Sequence, residues 1–149
     1  MENKGETSRS LTMKSIFKCM MEEGYRPTYN ITHILFDIDD NIAVLEYEEG
    51  VLSIRLFFSI EEEGYNMFLE ASNATMLGTF IVKPVLLDDM KTIMFSCETL
   101  CSNLRDFRRF FPRCIDLIDE SIAAHKNEMK KLMVISHKEQ KSVKSTILS

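Results

Sequence analysis

Hydrophobic positions recur along the chain with two spacings, one typical of helices and one typical of strands. In residues 11–23 the apolar side chains are spaced as on one side of a helix, and Gly24 stands where that helix should end: Met13, Ile16, Phe17, Met20 and Met21. From residue 32 to residue 58 apolar residues alternate with other residues, which predicts three strands separated at 39–41 and 48–50. Both separating segments are short and polar, so we expect an antiparallel meander.

The second half of the chain repeats this succession. Residues 65–76 predict a shorter helix with Phe68, Leu69, Ala71 and Met76 as its apolar residues, preceded by a capping-box-like pair of Ser59 with an acidic residue at 62 or 63. Strands are expected at 79–87 and 92–100 on either side of a polar turn. Pro84 cannot donate a ladder hydrogen bond and therefore indicates an edge strand or a bulge.

A last helix is expected from about Asn103, capped by Ser102 or by Asn103 itself. We expect it to kink at Pro112, since proline removes a helical hydrogen bond. Its apolar residues lie along one side: Leu104, Phe107, Phe111, Ile115, Ile118 and Ile122.

The predicted order of elements is α-β-β-β-α-β-β-α, which favours an α+β fold with an antiparallel sheet and helices packed on one face. The 149 residues, of which 45% are hydrophobic and 28% charged, suit one globular domain. We expect residues 1–9 to be a disordered N-terminus, 10–133 a single domain, and 134–149 a polar tail containing Lys and Ser that is also disordered.

Charge is distributed unevenly along the chain. The net charge is -5, yet residues 126–149 hold six lysines and two glutamates, which leaves about -9 for residues 1–125. An acidic body repels a phosphate backbone, so we do not expect a nucleic-acid partner. No apolar run approaches the roughly 20 residues of a membrane helix, and the polar N-terminus does not resemble a signal peptide. These features predict a cytoplasmic protein without a membrane partner.

Two aspartates lie one residue apart at the end of the first strand, in "HILFDIDDN". This resembles the nucleophile strand of haloacid-dehalogenase-type phosphatases, so the alternative function is a magnesium-dependent phosphatase-like enzyme with Asp37 as nucleophile and Asp39 as acid or base. In such enzymes glycine and threonine follow, whereas here Asp40 and Asn41 do, and the element order lacks the βαβ crossovers of a parallel sheet. We therefore interpret the aspartates as part of a hairpin and predict no catalytic residue and no cofactor.

Three arginines follow one another at steps of four residues on the last helix, and they could bind a phosphate or a carboxylate: Arg105, Arg109 and Arg113. The other interpretation is a solvated helix face. The cysteines have no zinc-site spacing and are expected to be small buried hydrophobic residues, and the three histidines are isolated, so no metal site is predicted: Cys19, Cys97, Cys101 and Cys114.

The order and length of the elements are similar to the type III secretion chaperone-like fold. The segments that carry this resemblance are "KSIFKCMMEEGY", "ILFDIDDNIAVLEYEEGVLSIRLFFSI", "FIVKPVLLDD", "TIMFSCET" and "NLRDFRRFF". The fold is shared by secretion chaperones and by a bacterial family of proposed sensory-transduction regulators. The resemblance implies a cytoplasmic, non-enzymatic protein that is commonly homodimeric and acts by binding other proteins.

The strand alternation adds a candidate site. Eight of the alternating residues are expected to face the helices: Ile34, Phe36, Ile38, Leu45, Leu52, Ile54, Leu56 and Phe58. The other face of the sheet then keeps six apolar side chains, too many for a face exposed to water. We predict that a second subunit or a protein client covers this face, at Ile31, Leu35, Ile42, Val44, Val51 and Phe57. The alternative is that the hairpin around Lys83 or the N-terminal residues of the same chain cover it.

Overall fold

The computed structural model of the protein describes residues 10–30, 32–78 and 82–148, and the side chains of residues 77, 78 and 139–148 lie outside that description. The elements in chain order are α1 (Met13–Glu22), β1 (Thr28–Asn30), β2 (His33–Ile38), β3 (Asn41–Glu48), β4 (Val51–Ser59), a 3₁₀ turn (Glu62–Gly64), α2 (Tyr65–Gly78), β5 (Val82–Leu86), β6 (Thr92–Leu100) and α3 (Leu104–Leu148).

The six strands form one antiparallel sheet in the order β1-β2-β3-β4-β6-β5. The α+β class and the predicted order of elements are confirmed. Strand β1 is an addition, a three-residue edge strand in a segment without clear alternation. Pro84 lies in β5 at the opposite edge, where a missing N–H costs no ladder hydrogen bond. Of the predicted strand at 79–87, residues 79–81 lie outside the described residues.

Helix α1 begins at a capping box. The Thr12 side chain accepts a hydrogen bond from the Ser15 backbone N–H at 3.1 Å, and the Ser15 hydroxyl accepts one from the Thr12 N–H at 3.0 Å. The helix ends before Gly24, whose φ of 90° suits glycine. Ile16 and Met20 are buried as predicted, whereas Met21 is mostly exposed.

Helix α2 packs only partly as predicted. Ala71 is buried and Phe68 is half-buried against the core, whereas Leu69 and Met76 are exposed. The helix also buries Ser72 and Thr75. The proposed capping box also fails, because Ser59 is the last residue of β4 and a 3₁₀ turn precedes the helix. Buried hydroxyls give no hydrophobic signal, which explains why the sequence did not indicate Ser72 and Thr75 as packed residues.

Helix α3 begins after Asn103, whose Oδ1 accepts a hydrogen bond from the Asp106 N–H at 2.8 Å. Pro112 lies inside the helix without ending it, and the expected kink stays a prediction. The buried side continues the predicted stripe with Cys114, Ser121 and His125 added to Phe107, Phe111 and Ile118.

The helix runs on to Leu148, although we expected a disordered tail from residue 134. The sequence after Pro112 contains neither glycine nor proline and is rich in residues that favour helices, so nothing local ends α3. The described side chains of Met133, Val134 and Ile135 are more than half exposed, so this part of the helix packs little against the domain. The expected disorder of residues 1–9 lies outside the described residues.

The core lies between the helices and one face of the sheet. The eight predicted inward residues of β2 to β4 all face this side, and seven of them are buried while Phe58 is half-buried. The Tyr47 hydroxyl donates a 2.6 Å hydrogen bond to the Cys101 carbonyl, which links β3 to the segment before α3. All four cysteines are buried free thiols, and burial raises the pKa of Cys19 and of Cys101, the latter to about 11.

Candidate protein-binding face

The sheet has a second face, opposite the helices, which we call the open face. Antiparallel register fixes its members, because residues directly opposite each other on neighbouring strands point to the same side. Leu35 pairs with Val44, Val44 with Arg55, and Arg55 with Ser96 of β6. Its members on β2 to β6 are His33, Leu35, Asp37, Ile42, Val44, Glu46, Glu48, Val51, Ser53, Arg55, Phe57, Ser59, Lys83, Val85, Thr92, Met94, Ser96, Glu98 and Leu100.

Five of the six predicted binding residues are described, and all five lie on this face. Leu35 and Val44 are half-buried, while Ile42 is 62% exposed and Phe57 39% exposed. Val51 is similarly exposed at the other end of β4. Ile31 lies outside the described residues. The role of these residues in binding stays a prediction.

Strands β5 and β6 extend the apolar surface beyond those residues. Phe57 pairs with Met94, Met94 pairs with Val85, and the register of β3 with β4 places Ile42 beside Phe57. These four side chains form one continuous row across four strands, which we call the apolar row. Leu100, 77% exposed, pairs with Val51 at the far end. The alternation in "TIMFSCETL" would have indicated Met94 and Leu100.

A polar band crosses the open face between these apolar ends. Arg55 reaches Glu46 on β3 and Glu98 on β6, each with an N–O distance of 3.5 Å. The three side chains are 31% to 57% exposed, and such pairs contribute little stability. They provide charge of both signs at the middle of the face.

Buried polar atoms lie within this band. Ser53 and Ser96 are buried, and their Oγ atoms, together with Arg55 Nε, have no hydrogen-bond partner among the described residues. Buried polar groups in folded proteins are nearly always paired.

The two aspartates of the phosphatase alternative are not brought together on one side of the sheet. Asp37 is exposed on the open face, paired with Ile42. Asp39 lies in the two-residue turn between β2 and β3, with φ of 48°, and borders a cleft on the helix side with Asn41 and Asp119. The predicted hairpin is confirmed. The absence of a catalytic role for the two aspartates stays a prediction.

The arginine ridge of α3 lies on the protein surface. Arg105, Arg109 and Arg113 are exposed, and Arg109 lies 5.9 Å from the centre of the Phe110 ring. Arg108, which the spacing did not single out, pairs with Glu22 of α1 at 3.6 Å. Binding of an anion by the ridge stays a prediction.

No group of three or more His, Cys, Asp or Glu side chains in the described ranges is arranged to hold a metal ion. Among the helices of the described part, none combines the length and the apolar character needed to cross a membrane.

Comparison with known proteins places the fold. No model of a protein family matches the chain, and no curated protein matches its sequence. The structure is similar to YbjN from E. coli, a proposed transcription regulator, with a TM-score of 0.67, 9% identity, and 81% of this chain and 94% of that chain covered. It is also similar to an uncharacterised protein from Methanothermobacter thermautotrophicus, with a TM-score of 0.57, 12% identity, and 81% and 98% covered. The fold is therefore YbjN-like.

Proposed function

We propose that this protein is a non-enzymatic, cytoplasmic protein-binding module that pairs with a second copy of itself through the open face and binds a protein client. The apolar row carries this proposal, because a sheet face in contact with water alone would alternate to polar residues. Ile42, Phe57 and Val85 instead expose apolar side chains side by side. Exposed apolar surfaces of this kind mark sites of interaction.

The size of the face supports a second copy as partner. Five strands at about 4.8 Å spacing and about 25 Å length give a geometric area of about 600 Å². Two such faces would bury about 1,200 Å², the lower bound for a stable protein interface. Sheets also pack face to face at about 10 Å, which suits two copies of one sheet.

The charges on the face support the same partner. A contact between identical faces requires each to provide both halves of every interaction. The polar band holds Arg55 between two glutamates, and Lys83 lies beside Ser96 on the neighbouring strand. Each copy could thus offer a cation to a carboxylate of the other. The body of the chain is too acidic, at about -9 for residues 1–125, to favour a nucleic-acid partner.

Sedimentation equilibrium tests the pairing. We expect the wild type to be a dimer and the double variant Val44→Glu, Phe57→Glu to be a folded monomer, because pairing would bury two unpaired carboxylates from each copy. The matched control is Leu69→Glu, Met76→Glu, which adds the same charge at similarly exposed apolar residues of α2 and should stay a dimer.

Circular dichroism of each variant shows whether it is folded. If the double variant unfolds, Ile42→Glu replaces it, since that side chain is more exposed and its loss disturbs the core less. A wild type that is monomeric at all concentrations, or an Ile42→Glu variant that remains as dimeric as the wild type, contradicts the proposal.

The client belongs to the same proposal, in line with the chaperone-like resemblance. Because the second copy and the client need the same face, the client must displace the second copy. A photo-reactive amino acid at residue 57 should therefore cross-link either to a second copy or to a client protein in cells, whereas the same group at residue 69 should cross-link to neither. Equal cross-linking from both positions would show that the open face is not the client site.

A further inference from the structure

The helix side of the sheet contains an apolar cavity of about 180 Å³. Its walls come from β4, β6, α2 and α3, and include Phe58, Phe68, Phe95, Ile122 and His125. Ring contacts fix these walls: Phe58 meets Phe95 edge to face at 5.9 Å, and His125 stacks on Phe68 at 5.9 Å. A cavity of roughly 150 Å³ with apolar walls accommodates benzene, so this one has room for a phenyl ring or a branched alkyl group.

A polar cleft of about 260 Å³ adjoins the cavity. The two share Phe58, Ile122 and Lys126 as common lining residues. Asp39 of the β2–β3 turn, Asn41 of β3 and Asp119 of α3 line the cleft. Burial raises the pKa of Asp119, and the nearby carboxylates of Asp39 and Asp116 raise it further. A positive charge between Asp39 and Asp119 would relieve this repulsion.

We propose that the cavity and the cleft together bind a free α-amino acid with a large apolar side chain. The side chain occupies the cavity, the ammonium group lies between Asp39 and Asp119, and the carboxylate group contacts Lys126 at the boundary. This site is on the opposite side of the sheet from the open face and does not depend on the proposed pairing.

The charges select this ligand class. A fatty acid or an aromatic acid would bring its carboxylate towards two aspartates, and a simple amine would leave Lys126 without a counter-charge. An α-amino acid carries both charges on atoms adjacent to its side chain. The cleft and the cavity share three lining residues, so the charged groups can lie in the cleft while the side chain fills the cavity. Small-molecule sites commonly combine apolar walls with a few polar groups that fix orientation.

Isothermal titration calorimetry of the full chain tests the proposal at millimolar ligand concentrations. L-phenylalanine and L-leucine should bind, whereas L-alanine should bind at least about tenfold more weakly, because it leaves the cavity unfilled. 3-Phenylpropionate lacks the ammonium group and should bind more weakly still. L-phenylalaninamide lacks the carboxylate and imitates the first residue of a peptide, so it distinguishes a free amino acid from a chain N-terminus.

Variants with matched controls locate the site. Asp119→Asn and Lys126→Met should each weaken binding of L-phenylalanine by about tenfold or more, since each removes a charge-assisted hydrogen bond. Glu120→Gln and Lys130→Met make the same changes at neighbouring exposed positions of α3 outside the lining and should bind like the wild type. All four changes are at exposed residues, so folding should be retained.

Three results would overturn the proposal. The first is no binding of any apolar amino acid. The second is equal binding of L-phenylalanine and its amide, which would remove the role of Lys126. The third is unchanged affinity in both Asp119→Asn and Lys126→Met.

Discussion

Acidification should destabilise the folded protein through His125. This residue is 4% exposed, and its Nε2 lies 3.1 Å from Ser72 Oγ. Its ring stacks on Phe68 and meets the edge of Phe95 at 5.5 Å. Burial lowers the pKa of His125 below its ordinary value of 6.5, and a hydrogen bond to the Phe68 backbone offsets only part of this effect.

The direction and size of the effect follow from the difference between the folded and unfolded states. As the pH falls below 6.5, the unfolded chain binds a proton at His125 that the folded chain does not accept until its own lowered pKa is reached. Stability is therefore lost across that interval, by at most about 2 kcal/mol between about pH 7 and pH 5 for one group.

Urea denaturation at several pH values between about 7 and 5 measures this loss. We expect the free energy of unfolding of the wild type to fall more steeply with acidification than that of His125→Gln, which keeps an amide near Ser72 but cannot titrate. Asp119, whose raised pKa acts in the opposite direction at lower pH, is present in both proteins and cancels in the comparison.

Ser72→Ala is the matched control for that comparison. It removes the hydrogen bond, at a cost of about 1 kcal/mol, but leaves His125 buried, so the pH dependence should remain. Equal pH dependence of the wild type and His125→Gln would refute the assignment of a buried neutral histidine.

Three further predictions concern stability. Asp37→Asn and Asp39→Asn should each change the free energy of unfolding by less than about 0.5 kcal/mol, because the first side chain is exposed and asparagine tolerates the positive φ of the second; a loss of several kcal/mol in urea titrations, or tight magnesium binding by calorimetry, would contradict the hairpin interpretation. Removing residues 136–149 should lower the helical circular dichroism signal but leave the melting temperature unchanged, and a drop of many degrees would show that this segment docks. Tyr47→Phe should cost about 1 kcal/mol by removing the bond to the Cys101 carbonyl; an unchanged urea midpoint would show that the bond contributes nothing.

The sequence predicts the sheet better than it predicts the helices. Alternation identified the inward residues of β2 to β4 because one face packs on the helices, and a shift by one residue would expose all of them. Helix α2 lacked an equally strong pattern. It packs through Ala71, Ser72 and Thr75, and Ser72 is buried because it pairs with His125, 53 residues away in the chain. Such a partner cannot be read from the local sequence of either helix.

The open face shows a second limit of what can be predicted from the sequence. The alternation of side chains along a strand determines which of its residues share a face, and it correctly grouped Ile42, Val44 and Phe57. It does not determine which strands are neighbours. The chain passes from β4 through α2 and β5 before β6 pairs with β4, so Met94 comes to lie beside Phe57 only through this crossover. The apolar row and the polar band around Arg55 therefore depend on strand order.

Two adjacent residues of β4 allow the two proposed binding sites to be tested separately. Successive side chains of a strand point to opposite faces. Phe57 therefore lies on the open face, while Phe58 lines the apolar cavity on the helix side. Phe57→Glu is expected to weaken pairing of two copies and leave binding of an amino acid unchanged. Phe58→Ala is expected to weaken amino-acid binding and leave the pairing unchanged. If either substitution altered both properties in a folded protein, the two faces of the sheet would be coupled, and the independence of the two sites would be wrong.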